Sequence, residues 1–256
     1  MIVDTHIHLD DARYRDDFDA VISRAKAAGV ERFIIPGADP QTLARAIELA
    51  EQYEEIYFAV GIHPYDAIHY DRRLLDQHIS HEKCVAVGEC GLDYYRLPED
   101  AGEIKAEKLL QRQVFIDQIA LAKEHNKPLI VHIRDASRDA QEILEQYAGS
   151  AGGVLHCYNA DHALLTLAAQ HFYFGIGGVL TFKNAKKLID VYPRIPQEKL
   201  LIETDGPYLT PHPHRGQRNE PAYCQLIAEK MATLSQIPVE EMTQMTTANC
   251  RTLFGI

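Results

Sequence analysis

Imidazole and carboxylate side chains recur at the ends of apolar runs in this sequence, and that recurrence could do chemistry. The first such stretch is Ile2-Val3-Asp4-Thr5-His6-Ile7-His8. Side chains alternate between the faces of a strand, so Asp4, His6 and His8 share one face. Two neutral imidazoles on one face can hold a divalent ion. A lone His-x-His could equally be a polar strand end with surface histidines. Later runs change the balance. Gly61-Ile62-His63, Val87-Gly88-Glu89, Val131-His132-Ile133-Arg134, Val154-Leu155-His156 and Ile202-Glu203-Thr204-Asp205 all end in His, Glu, Asp or Arg. Apolar strands could more simply end in Gly, Ser or Asn. Imidazole and carboxylate without thiolate suit Zn, Mn, Fe, Ni or Mg, and carboxylates favour the harder ions. The ligands suffice for two divalent ions about 3.5–4 Å apart, with Glu89 as the bridging anion. Cys90 and Cys157 each follow a proposed ligand directly, which in a strand turns them to the opposite face, so they are read as packing residues.

A scaffold must bring these ends together. After Ile2-Val3, strands are expected over 32–37, 56–62, 85–91, 128–134, 153–156, 173–176 and 200–205. Helical spacing of apolar residues covers 16–29, 39–53, 74–79, 103–126, 139–147, 163–170, 184–191, 220–235 and 238–254. Asp39-Pro40 reads as an N-cap with Pro at the first helical position. The strands are continuous apolar runs, as in a parallel sheet covered by helices. Eight alternating strand–helix units in 256 residues give an α/β fold, a TIM (β/α)8 barrel, as a single domain over residues 1–256. A doubly wound open sheet is the rival, but no Gly-x-Gly-x-x-Gly follows the first strand. In a barrel the strand C-termini meet at one face, where active sites lie.

Composition narrows the function. Hydrophobic residues are 46% and charged residues 25%, as in a soluble globular protein. No apolar run approaches the roughly 20 residues of a membrane span. No basic stretch followed by an apolar one opens the sequence, so no signal peptide is expected. The five cysteines are scattered without a Cys-x-x-Cys pair, which suits reduced thiols and a cytoplasmic location. A net charge of −11 excludes a general nucleic-acid coat, though not a nuclease whose bound cations supply local positive charge.

Several stretches in combination resemble the TatD-family metal-dependent deoxyribonucleases, of the amidohydrolase-like TIM-barrel superfamily. They are Asp4-Thr-His-Ile-His8, Gly61-Ile-His-Pro64, Gly88-Glu-Cys-Gly-Leu-Asp-Tyr-Tyr95, Val131-His-Ile-Arg134, His156-Cys157, Gly178-Val-Leu-Thr-Phe182, Leu201-Ile-Glu-Thr-Asp-Gly-Pro-Tyr208 and Thr247-Ala-Asn-Cys-Arg-Thr-Leu-Phe254. The resemblance spans the chain. It implies that His6, His8, Glu89 and Asp205 hold one metal, that Glu89, His132 and His156 hold a second, and that His63 contacts phosphate. Two departures stand out. His156-Cys-Tyr-Asn-Ala160 replaces the family's usual His-Cys-Phe-Ser-Gly, and Gly206 stands where Ala or Ser is common. The first stiffens a substrate loop, and Asp161 adds a negative charge beside it.

The expected function is divalent-metal-dependent hydrolysis of DNA phosphodiesters, with 3'-5' exonuclease character on single-stranded or frayed ends. The metals would be Mg, Mn or Zn. Asp205 would take the proton of the attacking water, Glu89 would bridge, and His63 and Arg134 would bind substrate. Arg134 could instead pair with Glu203 or Asp135. Glu203, one step deeper than Asp205, would orient a ligating His, and Asp4 would do the same below His6. The alternative is an amide or ester hydrolase, or a deacylase of a small molecule or aminoacyl-tRNA adduct. A binding protein with a vestigial site is a third class, disfavoured because the ligand set is complete. No membrane and no obligate protein partner is implied.

Overall fold

The computed structural model describes residues 1–256. Eight parallel strands pair in chain order: β1 (Ile2–Asp4), β2 (Val30–Ile35), β3 (Ile56–Val60), β4 (Cys84–Asp93), β5 (Leu129–Arg134), β6 (Gly153–Leu155), β7 (Phe172–Ile176) and β8 (Leu200–Ile202). The seam between β8 and β1 closes just above the strands. Thr5 N donates to Ile202 O at 3.1 Å, Asp205 N to His6 O at 2.9 Å and His8 N to Gly206 O at 2.9 Å. The result is the barrel expected from the strand–helix alternation, in one domain.

Helices α1 (Phe18–Ala27), α2 (Leu43–Gln52), α3 (Arg72–His78), α4 (Ala101–Glu124), α5 (Ser137–Tyr147), α6 (Lys186–Val191), α7 (Cys224–Ser235) and α8 (Val239–Phe254) surround the sheet. A large apolar layer joins the strands' outer faces to helix residues such as Val21, Leu49, Phe115, Leu144 and Ile227. A smaller cluster fills the barrel's interior with Val3, Ile34, Ala59, Ala86, Ile130, Val154 and Leu201, joined by Cys250 and Phe254 of α8. The interior is therefore packed, and polar chemistry is confined to the other end. The Asn249 amide fixes α8 at the opposite end from that chemistry, where β8 begins, donating to Gln197 O and Leu200 O at 2.9 Å each.

Several elements differ from expectation; β3 stops at Val60 and β8 at Ile202, so His63, Glu203 and Asp205 follow their strands and do not lie on them. The helix expected to begin at Asp39-Pro40 begins at Leu43, because Asp39 Oδ1 accepts from Gln41 N at 2.8 Å and closes a turn first. His162–Gln170 winds as a 3-10 helix, with the Thr166 hydroxyl donating three residues back to Ala163 O. Regular β1 pairing stops at Asp4, whose carboxylate accepts from His6 N at 3.3 Å and Thr204 N at 2.9 Å. His6 and His8 thus lie past the strand, on the chain that forms the seam.

Glycines set how closely β2, β3 and β4 approach above the core. A Cβ on Gly61 would lie 2.5 Å from the Gly88 carbonyl carbon, and one on Gly37 would lie 2.5 Å from Ala59 O. Gly37 N donates to Gly88 O at 2.7 Å. This backbone contact fixes the start of the segment that carries Glu89.

Candidate metal centre

Glu89 stands at the centre of the mouth, on a strand whose ten residues are all buried. Its Oε2 lies 3.4 Å from His6 Nε2 and 3.8 Å from His8 Nε2. Asp205 Oδ1 lies 3.8 and 3.5 Å from the same two nitrogens. The other oxygen, Glu89 Oε1, lies 2.9 Å from His132 Nδ1, 3.4 Å from His156 Nε2 and 3.7 Å from His63 Nε2. One carboxylate therefore faces two donor sets, one with each oxygen. Ligands about 2.1 Å from a shared tetrahedral ion stand about 3.4 Å apart. Most of these separations are close to that spacing, so His6, His8, Glu89 and Asp205 could hold one ion, and Glu89, His132 and His156 another.

Both ring nitrogens of buried His6 and Nδ1 of His156 lack a hydrogen-bond partner. Orphaned buried polar atoms are costly, and a cation held by His6 Nε2 would remove the cost for that atom, while His156 Nδ1 faces the Glu203 carboxylate. Burial alone would raise Glu89, yet the charges of His156 and His6 hold its carboxyl well below the usual range. Burial likewise opposes charge on His8 and His156. The Asp205 hydrogen bond and Glu89 charge outweigh it for His8, pushed up to about 9, and Glu89 with Glu203 do so for His156, pushed up to about 10. Burial drives His63 down to about 4, so this ring is neutral at pH 7. His63 Nδ1 accepts from Tyr65 N at 3.1 Å, which leaves the proton on Nε2, aimed into the site.

Around these groups lies a second layer. Glu203 is fully buried, accepts from Cys157 N, and has Oε1 3.3 Å from His156 Nδ1. Gly175 makes room for it, since a Cβ there would sit 2.1 Å from Glu203 Oε2. Asp4 does not touch the His6 ring as expected. Its carboxylate ties β1 to the β8 end through the Thr204 hydroxyl, at 2.6 Å. Burial pushes its pKa up to about 7. Asp93 is an addition that the sequence reading missed: its Oδ2 lies 2.9 Å from His132 Nε2. The signal was there, because Asp93 falls at the same strand parity as Glu89. Gly91 lets β5 come close at this register, a Cβ there meeting His132 O at 2.0 Å. Asp205 takes a left-handed φ of 56°, a strained state for a non-glycine residue.

If Glu203 orients His156 and does not itself bind metal, Glu203→Gln should weaken metal affinity about 10–100-fold and leave the fold intact. Calorimetric titration with Zn or Mn checks this. Complete loss of one binding event would instead make Glu203 a ligand.

The rim is aromatic and cationic. Arg134 stacks on Tyr95 at 3.6 Å, Arg96 lies over Tyr65 at 5.5 Å, and Arg13 lies over Tyr208 at 4.4 Å. Arg13 is bound to Asp11. Arg96 and Arg134 have no carboxylate partner, so Arg134 pairs with neither Glu203 nor Asp135. The rim supplies more basic surface than the net charge suggests. A cleft of about 350 Å³ lies over the donor sets between Tyr65, Arg96 and Tyr208. A neighbouring cavity of about 610 Å³ extends past His156 and Cys157. Cys90 packs in the outer layer as expected, whereas Cys157 lines this cavity. Asp161 does not crowd the donor sets; its carboxylate caps the turn at Ala163 N, 3.0 Å away.

The sequence profile described as TatD related DNase matches residues 3–255. The chain belongs to this family. It is 46% identical, over the full length of both chains, to the uncharacterized metal-dependent hydrolase YabD of Bacillus subtilis. It is 34% identical to the 3'-5' ssDNA/RNA exonuclease TatD of Shigella flexneri, over 99% of this chain and 98% of that one. The crystal structure of YJJV, a TatD homolog from Escherichia coli K12, superposes with a TM-score of 0.91 at 29% identity, covering 100% of this chain and 98% of the other. The protein is a metal-dependent hydrolase of the TatD family, with a His/Asp/Glu cluster that could bind metal.

Proposed function

We propose that this protein is a two-metal phosphodiesterase that trims single-stranded or frayed DNA ends. The observation that carries the reading is the rim: Tyr95 with Arg134 and Tyr65 with Arg96 present stacking faces and unpaired guanidinium groups beside the donor sets. Stacking platforms with cationic donors suit a flexible single strand. An amide or ester hydrolase for a small molecule has no use for guanidinium groups spread around an open mouth. Bound divalent ions supply Lewis-acid charge and lower the pKa of water at the site. Asp205, at the edge of its donor set, takes the proton released in the attack. His63 donates from Nε2 to a phosphoryl oxygen, and Arg134 and Arg96 hold phosphates flanking the scissile one. The free cysteines suit a reducing compartment, so the enzyme works in the cytoplasm.

A recessed mouth admits a strand end readily and a duplex interior only after unpairing. With Mn, a linear single strand should be degraded at least about tenfold faster than a covalently closed circle of the same sequence, a factor of ~1.4 kcal/mol. Equal rates on a denaturing gel would defeat the end-directed reading and leave the phosphodiesterase reading standing. Turnover of small amides or esters but of neither DNA would support the alternative hydrolase.

A further inference from the structure

The two sides of the metal cluster are unlike. Towards Tyr65 and Tyr95 the surface is open, with both rings exposed. On the other side the cavity of about 610 Å³ encloses space between the loops that follow β6, β7 and β8. It shares His132, His156 and Asp205 with the donor sets, so whatever occupies it is joined to the reacting phosphate. Its walls are mainly apolar, from Tyr158, Ala160, Val179, Leu188 and Leu209. Its volume falls within the roughly 300–1,000 Å³ of small-molecule sites. Ala160 holds a left-handed φ of 63° and points its methyl into this wall, where the family pattern has Gly. Asn184, on the rim, makes no side-chain hydrogen bond to the protein, so its amide is free to meet a ligand's polar edge.

Beyond the cavity lies an outer cleft of about 710 Å³, and Arg134 and Lys187 line both. Lys187 is exposed and forms no ion pair, and neither does Arg134. An apolar enclosure thus has the His/Glu/Asp donor cluster at one end and Lys187 at the other, with Arg134 reaching from the outer cleft to the mouth beside Tyr95; Asp135, Asp161 and Asp190 share the outer cleft, but none of them forms an ion pair with Lys187 or Arg134. That order of chemistry matches a strand of nucleic acid: phosphate, nucleoside, phosphate.

We propose that this cavity encloses the nucleoside attached to the scissile phosphate, and that Lys187 with Arg134 holds the next phosphate along the strand. The assignment rests on the nuclease reading of the site. It makes Lys187 a residue that measures strand length by binding a non-reacting phosphate, and Val179 part of the nucleoside's contact surface.

The test compares bis(4-nitrophenyl) phosphate with the dinucleotide dTpdT, and dTpdT with the same compound bearing a terminal phosphate at either end. In the wild type, a terminal phosphate at one end should raise kcat/KM about tenfold, chiefly through KM, as expected of a charge-assisted contact made in ground and transition state alike. Lys187→Ala should erase that gain and leave plain dTpdT within about twofold, while Lys187→Arg should restore most of it. Val179→Trp, at a half-buried position on the cavity wall, should lower kcat/KM for dTpdT by tenfold or more while bis(4-nitrophenyl) phosphate turnover, which does not need the nucleoside space, reports that the fold and site survive. In chelator, where no turnover occurs, anisotropy with a fluorescein-labelled oligothymidylate should show weaker binding by Lys187→Ala. The slope of log affinity against log salt should fall by about 0.7, the value for one lost phosphate contact on a single strand. If neither terminal phosphate changes kcat/KM, or Lys187→Ala slows all dinucleotides equally, the assignment is overturned while the nuclease reading survives. If bis(4-nitrophenyl) phosphate is hydrolysed and no dinucleotide is, the nuclease reading falls and this assignment with it.

Discussion

Glu89→Gln should reduce kcat by about three orders of magnitude or more, because Lewis-acid charge of the kind lost is worth several kcal/mol in the transition state. The argument is geometric. Glu89 is the one side chain with an oxygen facing each donor set, 3.4 Å from His6 Nε2 on one side and 3.4 Å from His156 Nε2 on the other. Glutamine keeps the shape but offers one oxygen and one NH2, and the NH2 repels any cation. It also removes the anion that favours charge on His8, His132 and His156. Metal analysis should find less than one ion per chain, with the circular dichroism spectrum unchanged. A variant that retains full metal content and activity within tenfold of the wild type would rule out a central role for this carboxylate.

Gly61→Ala should cost about 3 kcal/mol of stability, the upper end of the overpacking range. The added Cβ would lie 2.5–2.7 Å from three backbone atoms of Gly88. Backbone inside a barrel cannot step aside as a flexible side chain can, so β3 and β4 must separate. At roughly 2–4 °C per kcal/mol for a chain of this size class, the melting midpoint should drop by about 6–12 °C. Activity should fall too, because Gly88 immediately precedes Glu89. Gly29→Ala is the control. Gly29 has a left-handed φ of 80° but nothing within 4 Å of its would-be Cβ, so only the conformational cost of about 1–2 kcal/mol applies. A Gly61→Ala midpoint within 2 °C of the wild type would mean that the strand contact is softer than its geometry implies.

Strand parity and strand-end chemistry made much of this site legible in advance. His6, His8, Glu89, His132, His156 and Asp205 were chosen because parallel strands in a barrel present their C-termini together, and the structure does bring them to one mouth. Asp93 obeys the same period, but the strand expected over 85–91 runs on to Asp93, and only that extension sets its carboxylate beside His132. Asp4 shows the opposite limit. Parity placed it beneath His6, but its partner is Thr204, 200 residues away in sequence, and only the closed seam brings the two together. Of the rim, only Arg134 was legible, as the residue at the end of its strand. Tyr65 lies on a short 3-10 turn and Tyr95, Arg96 and Tyr208 on loops, and the pairing of these tyrosines with arginines depends on chain paths that no local pattern encodes. Gly175 belongs with them: its missing side chain is explained only by the Glu203 carboxylate that fills the gap.

The β8–β1 seam also bears on how the protein is made. His6 and His8 leave the ribosome early, and Asp205 is synthesised 199 residues later. At about 5–20 residues per second, that interval is about 10–40 s. Throughout it the two imidazoles are tethered to an unclosed sheet, a bare nitrogen pair whose preference among ions follows the general affinity order and not the enzyme's own geometry. The carboxylate from the β8 end joins them only when Asp205 N bonds to His6 O and the seam forms. If His6, His8, Glu89 and Asp205 hold an ion, selectivity for one metal over another would be a property of the finished barrel. An ion captured by the nascent chain would then be exchanged or re-coordinated when the last strand docks.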